Sequence, residues 1–117
     1  MYGPLMIDVA GTELTKEDRL VLSRAEVGGI ILFARNVDTP EQVRQLCDDI
    51  HQVKPEIIIG VDQEGGRVAR LRKEFTPLPA MARLGDLFDT EPCRALSLAY
   101  DCGYLMATEV MAVGIDI

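Results

Sequence analysis

Glu56-Ile-Ile-Ile-Gly-Val61 runs straight into Asp62-Gln-Glu-Gly-Gly-Arg-Val-Ala-Arg70. The first half is an almost unbroken apolar run, and the second packs carboxylates, glycines and arginines into a few residues. An apolar run of this length, not alternating, fits a strand buried on both faces, as in a parallel sheet covered by helices. Two more such runs lie upstream, Pro4–Val9 and Gly28–Phe33. Helix signals fall between them. Thr15-Lys-Glu-Asp18 reads as a capping box with Asp in the Glu position and opens a helix ending near Arg24. Thr39-Pro-Glu-Gln42 gives a Thr cap, Pro at the first helical position and Gln three residues after the cap. Val43, Leu46, Cys47 and Ile50 follow as one apolar stripe, and Pro55 bars helical geometry at Lys54.

Beyond the third run the spacing predicts a long connection, roughly Glu64 to Asp89, then a helix from about Glu91 to Ala112. Its buried face would carry Ala95, Ala99, Cys102, Met106, Val110 and Val113, with Gly114 as the stop. Ile115-Asp-Ile117 reads as the start of a fourth strand. The order β-α-β-α-β-loop-α-(β) predicts right-handed βαβ units and a parallel sheet. A strand beginning at the last residues points to a truncated fold. A (β/α)8 barrel needs about 250 residues, and the chain reads as one segment, 1–117, of its N-terminal part.

Composition narrows the chemistry. The chain has 117 residues, 48% hydrophobic and 26% charged, which is ordinary for a globular protein. Nineteen acidic against twelve basic residues give a net charge of −7, which disfavours nucleic acid and anionic membranes. No apolar run is long enough for a spanning helix, and the opening Met1-Tyr-Gly-Pro-Leu-Met-Ile-Asp8 lacks the basic region of a signal peptide. Three cysteines, Cys47, Cys93 and Cys102, match no metal or redox spacing and read as reduced thiols of a cytoplasmic protein. The single histidine, His51, reads as a solvated residue near a helix C-terminus. Neither Ser23 nor Ser97 sits in a nucleophile elbow.

In parallel α/β folds ligands bind beyond the carboxyl ends of the strands. Asp62, Glu64, Arg67 and Arg70 stand at such an end, with Asp8, Arg35 and Asn36 at the same rim. An Asp carboxylate suits paired sugar hydroxyls, and an Arg fork suits oxygens of the same ligand. The adjacent Gly65 and Gly66 allow a sharp turn and close approach of backbone to ligand. Spacing alone leaves two readings open: a structural ion-pair cluster closing the sheet, which it favours, and a ligand-binding lip. A metal site on Asp62 and Glu64 lacks further carboxylates nearby. Side by side on one strand, the two also make a poor glycosidase pair. Arg35 reads as a buried ion pair with Asp8 or Asp62, and Glu109 as a helix-edge carboxylate pairing with an Arg.

Gly29-Ile-Ile-Leu-Phe-Ala-Arg-Asn36, Val61-Asp-Gln-Glu-Gly-Gly-Arg-Val68 and Phe75-Thr-Pro-Leu-Pro79 resemble the N-terminal part of glycoside hydrolase family 3. Gly3-Pro-Leu-Met-Ile-Asp-Val9, Leu105-Met-Ala-Thr-Glu109 and Gly114-Ile-Asp-Ile117 fit as well, and the nearest branch is the bacterial β-N-acetylhexosaminidases of peptidoglycan recycling. The resemblance implies a (β/α)8 barrel and retaining hydrolysis of terminal β-linked N-acetylglucosamine from anhydro-muropeptides through a glycosyl-enzyme. It implies substrate-binding roles for Asp62 and Arg70, no cofactor, no metal, and a monomeric complete protein. It also places the family's nucleophilic Asp, in a Ser-Asp-Asp segment, and its acid/base His, in a Lys-His-Phe-Pro-Gly-His-Gly loop, outside these residues. The chain alone is then expected to be inactive and poorly folded. A family 3 β-glucosidase and a non-catalytic sugar- or partner-binding α/β module are the alternatives.

Overall fold

The computed structural model describes residues 3–117; Met1 and Tyr2, part of the signal-peptide reading, lie outside the described residues. The elements are β1 (Leu5–Ile7), α1 (Lys16–Leu22), β2 (Val27–Leu32), α2 (Pro40–Val53), β3 (Ile58–Val61), β4 (Gln63–Gly65), β5 (Val68–Ala69), α3 (Ala82–Phe88) and α4 (Pro92–Ala112). β1, β2 and β3 form one sheet in that order, both pairings parallel, with a helix in each crossover. This is the parallel α/β arrangement the three apolar runs predict.

Both early helices start where their caps place them. Thr15 Oγ1 accepts from Asp18 N at 3.0 Å, and Asp18 Oδ2 accepts from Thr15 N at 2.9 Å, so the Asp variant of the capping box is complete. Thr39 Oγ1 accepts from Gln42 N, with Pro40 in the first turn. α2 buries Val43, Leu46, Cys47 and Ile50 against Ile30, Leu32 and Ile59 in one core. Its last turn stops at Val53, before Lys54 and Pro55. α1 is shorter than predicted, ending at Leu22 with Ser23 as its cap.

Three expectations need correction. β2 is buried along almost its whole length, but β1 is not: Leu5 is 53% exposed and Met6 50%. β1 pairs only with β2 among the described residues, so one edge and much of its surface stay open. The connection after β3 is not a plain loop, since it holds the antiparallel β4–β5 hairpin and α3. The helix α4 forms where predicted, but only Ala95, Val110 and the following Val113 of its expected stripe are buried. Ala99 is exposed, and Cys102 and Met106 are half-buried.

The predicted fourth strand is not formed as an element, but its residues already bond to the backbone of β3. Asp116 N donates to Ile59 O at 2.8 Å, Ile117 N to Ile59 O at 3.2 Å, and Val61 N to Ile117 O at 2.9 Å. Asp116 Oδ2 also accepts from Ile59 N at 2.8 Å.

Candidate functional site

The carboxyl ends of β2 and β3 lie side by side because Leu32 pairs with Val61. The residues that follow, Phe33 and Asp62, therefore emerge together. Asp62 is half-buried, and its Oδ2 lies 3.2 Å from Arg70 Nη2, so the structure brings the two predicted site residues into contact. Arg70 comes back to Asp62 because the β4–β5 hairpin reverses the chain between them. The Arg70 guanidinium also lies 5.9 Å from the Phe33 ring centroid, within cation–π range. Its Nε is buried and donates to no group among the described residues.

The same ring carries a second arginine. Arg35 lies 4.9 Å from the Phe33 centroid and pairs with Asp8 at 2.8 Å. Of the two predicted partners it is Asp8 that pairs, but the pair is not buried: the two side chains are 46% and 52% exposed. At that exposure such a pair adds about 0–1 kcal/mol. Asp8–Arg35, Phe33 and Arg70–Asp62 form a row along the rim. Two grooves open beside it. One of about 850 Å³ includes Asp8 and Phe33, and one of about 630 Å³ includes Asp62, Glu64 and Met106.

Asn36 reaches the rim but serves the backbone. It is fully buried; Oδ1 accepts from Phe33 N at 2.9 Å, and Nδ2 donates to Val9 O at 3.0 Å and Gly11 O at 2.8 Å. It ties the ends of β1 and β2 together and holds Phe33 in place. Gly65 and Gly66 make the predicted turn with φ of +87° and +58°. The close approach, however, is to the chain itself. Gly66 N donates to Leu78 O at 2.8 Å, and a Cβ on Gly65 would stand 2.3 Å from Pro79 O. Among the described residues Glu109 pairs with no arginine. Its carboxylate accepts from Thr76 N and, at 2.6 Å, from Thr76 Oγ1, because the loop before α3 lies over that face of α4.

Gln63 is the residue that pattern reading missed. Neighbouring charges drew attention away from it, yet it is buried and bonded to the backbone of Arg70 and Leu71. Its only sequence signal is an uncharged amide inside a charged lip.

His51 is half-buried in the last turn of α2, with Nε2 3.3 Å from Ile57 O. The three cysteines are all unpaired. Burial pushes the Cys47 thiol up to about 12, with the nearby Asp48 and Asp116 carboxylates adding to the effect. Among the described residues no group of three or more His, Cys, Asp and Glu side chains is placed to hold a metal, and no helix is long and apolar enough to cross a membrane.

A parallel α/β sheet with a polar, arginine-bearing rim at the carboxyl ends of its strands defines the general class, a parallel α/β fold of barrel type or doubly wound type, in which ligands bind at that rim. Comparison with known proteins gives the family. The family described as "Glycosyl hydrolase family 3 N terminal domain" matches residues 5–117, and the chain belongs to glycoside hydrolase family 3. A beta-hexosaminidase of Pseudomonas aeruginosa is 53% identical over 117 residues, which is 100% of this chain and 34% of that protein. One from Alkalilimnicola ehrlichii is 49% identical over 99% of this chain and 34% of its own length. The chain thus spans about a third of these relatives. The crystal structure of NagZ from Neisseria gonorrhoeae in complex with N-trifluoroacetyl-D-glucosamine superposes with a TM-score of 0.95 at 44% identity, covering 97% of this chain and 34% of that one. A family 3 beta-N-acetylglucosaminidase from Paenibacillus gives 0.82 at 33% identity, covering 97% and 22%.

Proposed function

We propose that this chain is the N-terminal segment of a (β/α)8 barrel that hydrolyses terminal, β-linked N-acetylglucosamine, and that Asp62 and Arg70 form part of its sugar-binding lip. The observation that carries the proposal is the Asp62–Arg70 pair at the carboxyl end of β3. The Asp62 carboxylate accepts from sugar hydroxyls. Arg70 orients that carboxylate through Nη2 and keeps its buried Nε as a donor for a ligand oxygen. The names of the relatives, and the N-acylated glucosamine bound to the Neisseria protein, support an N-acetylhexosamine.

Hydrolysis proceeds with retention in this proposal. A carboxylate attacks the anomeric carbon as a general acid protonates the leaving oxygen, and water then resolves the glycosyl-enzyme. Neither the Ser-Asp-Asp segment nor the Lys-His-Phe-Pro-Gly-His-Gly loop occurs in these residues. Nucleophile and acid/base are assigned to the part of the relatives that this chain does not span. The substrate class is a small carbohydrate, with an anhydro-muropeptide from cell-wall turnover as the specific candidate. The unpaired cysteines support a reducing, cytoplasmic setting. The complete protein is taken as a monomer that needs no cofactor.

The test uses the complete gene product that contains this chain and two chromogenic substrates, 4-nitrophenyl N-acetyl-β-D-glucosaminide and the β-D-glucoside. The glucosaminide is expected to be preferred. Asp62→Ala is expected to lower kcat/KM by about a hundredfold, the loss of one or two charge-assisted hydrogen bonds at about 1.5–3 kcal/mol each. Native turnover by that variant would falsify the lip. Preference for the glucoside would shift the assignment to a β-glucosidase, and sugar binding without hydrolysis would favour a non-catalytic module.

A further inference from the structure

Gln63 lies between two carboxylates, but its side chain points into the protein and is only 8% exposed. β5 ends at Ala69, and the next two backbone amides are taken by the Gln63 carboxamide. Oε1 accepts from Arg70 N at 2.9 Å and from Leu71 N at 3.1 Å, while Nε2 donates to Leu71 O at 2.9 Å. One planar group therefore continues the hairpin ladder for two residues beyond the strand. The stretch it holds is the one from which Arg70 reaches Asp62 and the Phe33 ring. Leu71, held by the same amide, is buried as an anchor.

We infer that Gln63 is a positioning residue for substrate: it sets the backbone of Arg70, and so the reach of the guanidinium to Asp62 and the sugar. The inference rests on the sugar-lip reading of Asp62 and Arg70. A carboxamide suits the task because it offers an acceptor and a donor on one plane. A carboxylate at the same place keeps the acceptor but sets an oxygen lone pair against the Leu71 carbonyl. Protonation restores the donor, and burial raises the pKa of a carboxyl group. The Gln63→Glu variant should therefore recover as the pH falls, which a purely space-filling role does not predict.

The experiment measures kcat and KM of the complete gene product on 4-nitrophenyl N-acetyl-β-D-glucosaminide from pH 5 to 8, with amide hydrogen exchange of the segment 68–72. Displacing a binding group by about 1 Å costs up to about a hundredfold. Gln63→Met should accordingly raise KM about tenfold or more, change kcat less, and speed exchange at Arg70 and Leu71. The kcat/KM of Gln63→Glu relative to the native protein should climb as the pH is lowered. If Gln63→Met does not fold, Gln63→Glu decides alone, since its pH ratio is read within one folded protein. A flat ratio, or faster exchange with an unchanged KM, overturns the inference. Asp62→Ala run alongside separates the two ideas. If it also leaves KM and kcat at native values, the lip itself is wrong and the inference falls with it; if only the Gln63 variants are silent, the inference alone falls.

Discussion

A buried amide at each of two strand ends organises this rim. Asn36 and Gln63 together take three backbone N–H donors and give hydrogen bonds to three carbonyl oxygens. Leaving buried polar groups unpaired costs about 1–3 kcal/mol each. Asn36→Ala is accordingly expected to destabilise the complete protein by about 2–4 kcal/mol, read from urea unfolding; an unchanged unfolding midpoint would show that the site relaxes around the loss. Gly65→Ala meets two obstacles, a φ of +87° and the Pro79 carbonyl, and should disrupt the turn more than Gly85→Ala, where nothing stands within 4 Å. Cys47 makes a different prediction. Its thiol stays protonated in the native state up to about 12, while in the unfolded chain it ionises near 9.0. The folded pKa is the higher, so this contribution to stability is whole below pH 9 and is lost as the pH rises toward 12. Thiol reagents at pH 8 should label exposed Cys93 quickly and Cys47 only on unfolding; comparable rates at both would contradict the burial.

At the scale of elements, α1 and α2 were legible because capping and amphipathic spacing are local. Thr39 with Pro40 starts α2, and Pro55 ends it, whatever the rest of the chain does. Thr39→Ala should cost about 1 kcal/mol, the usual value of a cap, in thermal unfolding of the complete protein. The β4–β5 hairpin was not legible. Its strands are two and three residues long, too short for a periodic signal, and the turn is held by Leu78 and Pro79 from further along the chain. Nor could spacing tell which face of α4 is covered. Its apolar residues lie all round, so Leu96, Tyr100, Tyr104 and Met111 stay exposed while Ala95 and Val110 are buried.

The whole molecule is elongated. Its extents are 53 × 29 × 20 Å and its radius of gyration is 16.2 Å, against about 13 Å for a compact chain of similar length. α3 and α4 pack on each other, and α4 leaves Leu96, Tyr100, Tyr104 and Met111 exposed. Exposed apolar side chains occur at both edges of the parallel sheet, Leu5 and Met6 on β1 and Ile117 beside β3. Large exposed apolar patches drive association. The 117-residue chain alone is therefore expected to bind a hydrophobic dye and to self-associate with concentration in sedimentation. A monodisperse monomer with a sharp, cooperative melt would refute this.

Taken alone, the sequence determined the order of the three parallel strands and of α1, α2 and α4, the parallel sheet and the rim where Asp62 and Arg70 stand. Each of these depends on short-range facts: apolar runs, caps, breakers, and charges set at a strand end. Its motifs also carried the resemblance to family 3, which the comparisons bear out. Tertiary structure decided which polar residues face outward and which hold the backbone. Asp8 took Arg35, Glu109 took Thr76, and Gln63 turned inward between two charged neighbours to hold Arg70. Those choices depend on which chain segments meet across the hairpin and the sheet ends. A buried amide is stable only where such a meeting supplies it with both donors and acceptors.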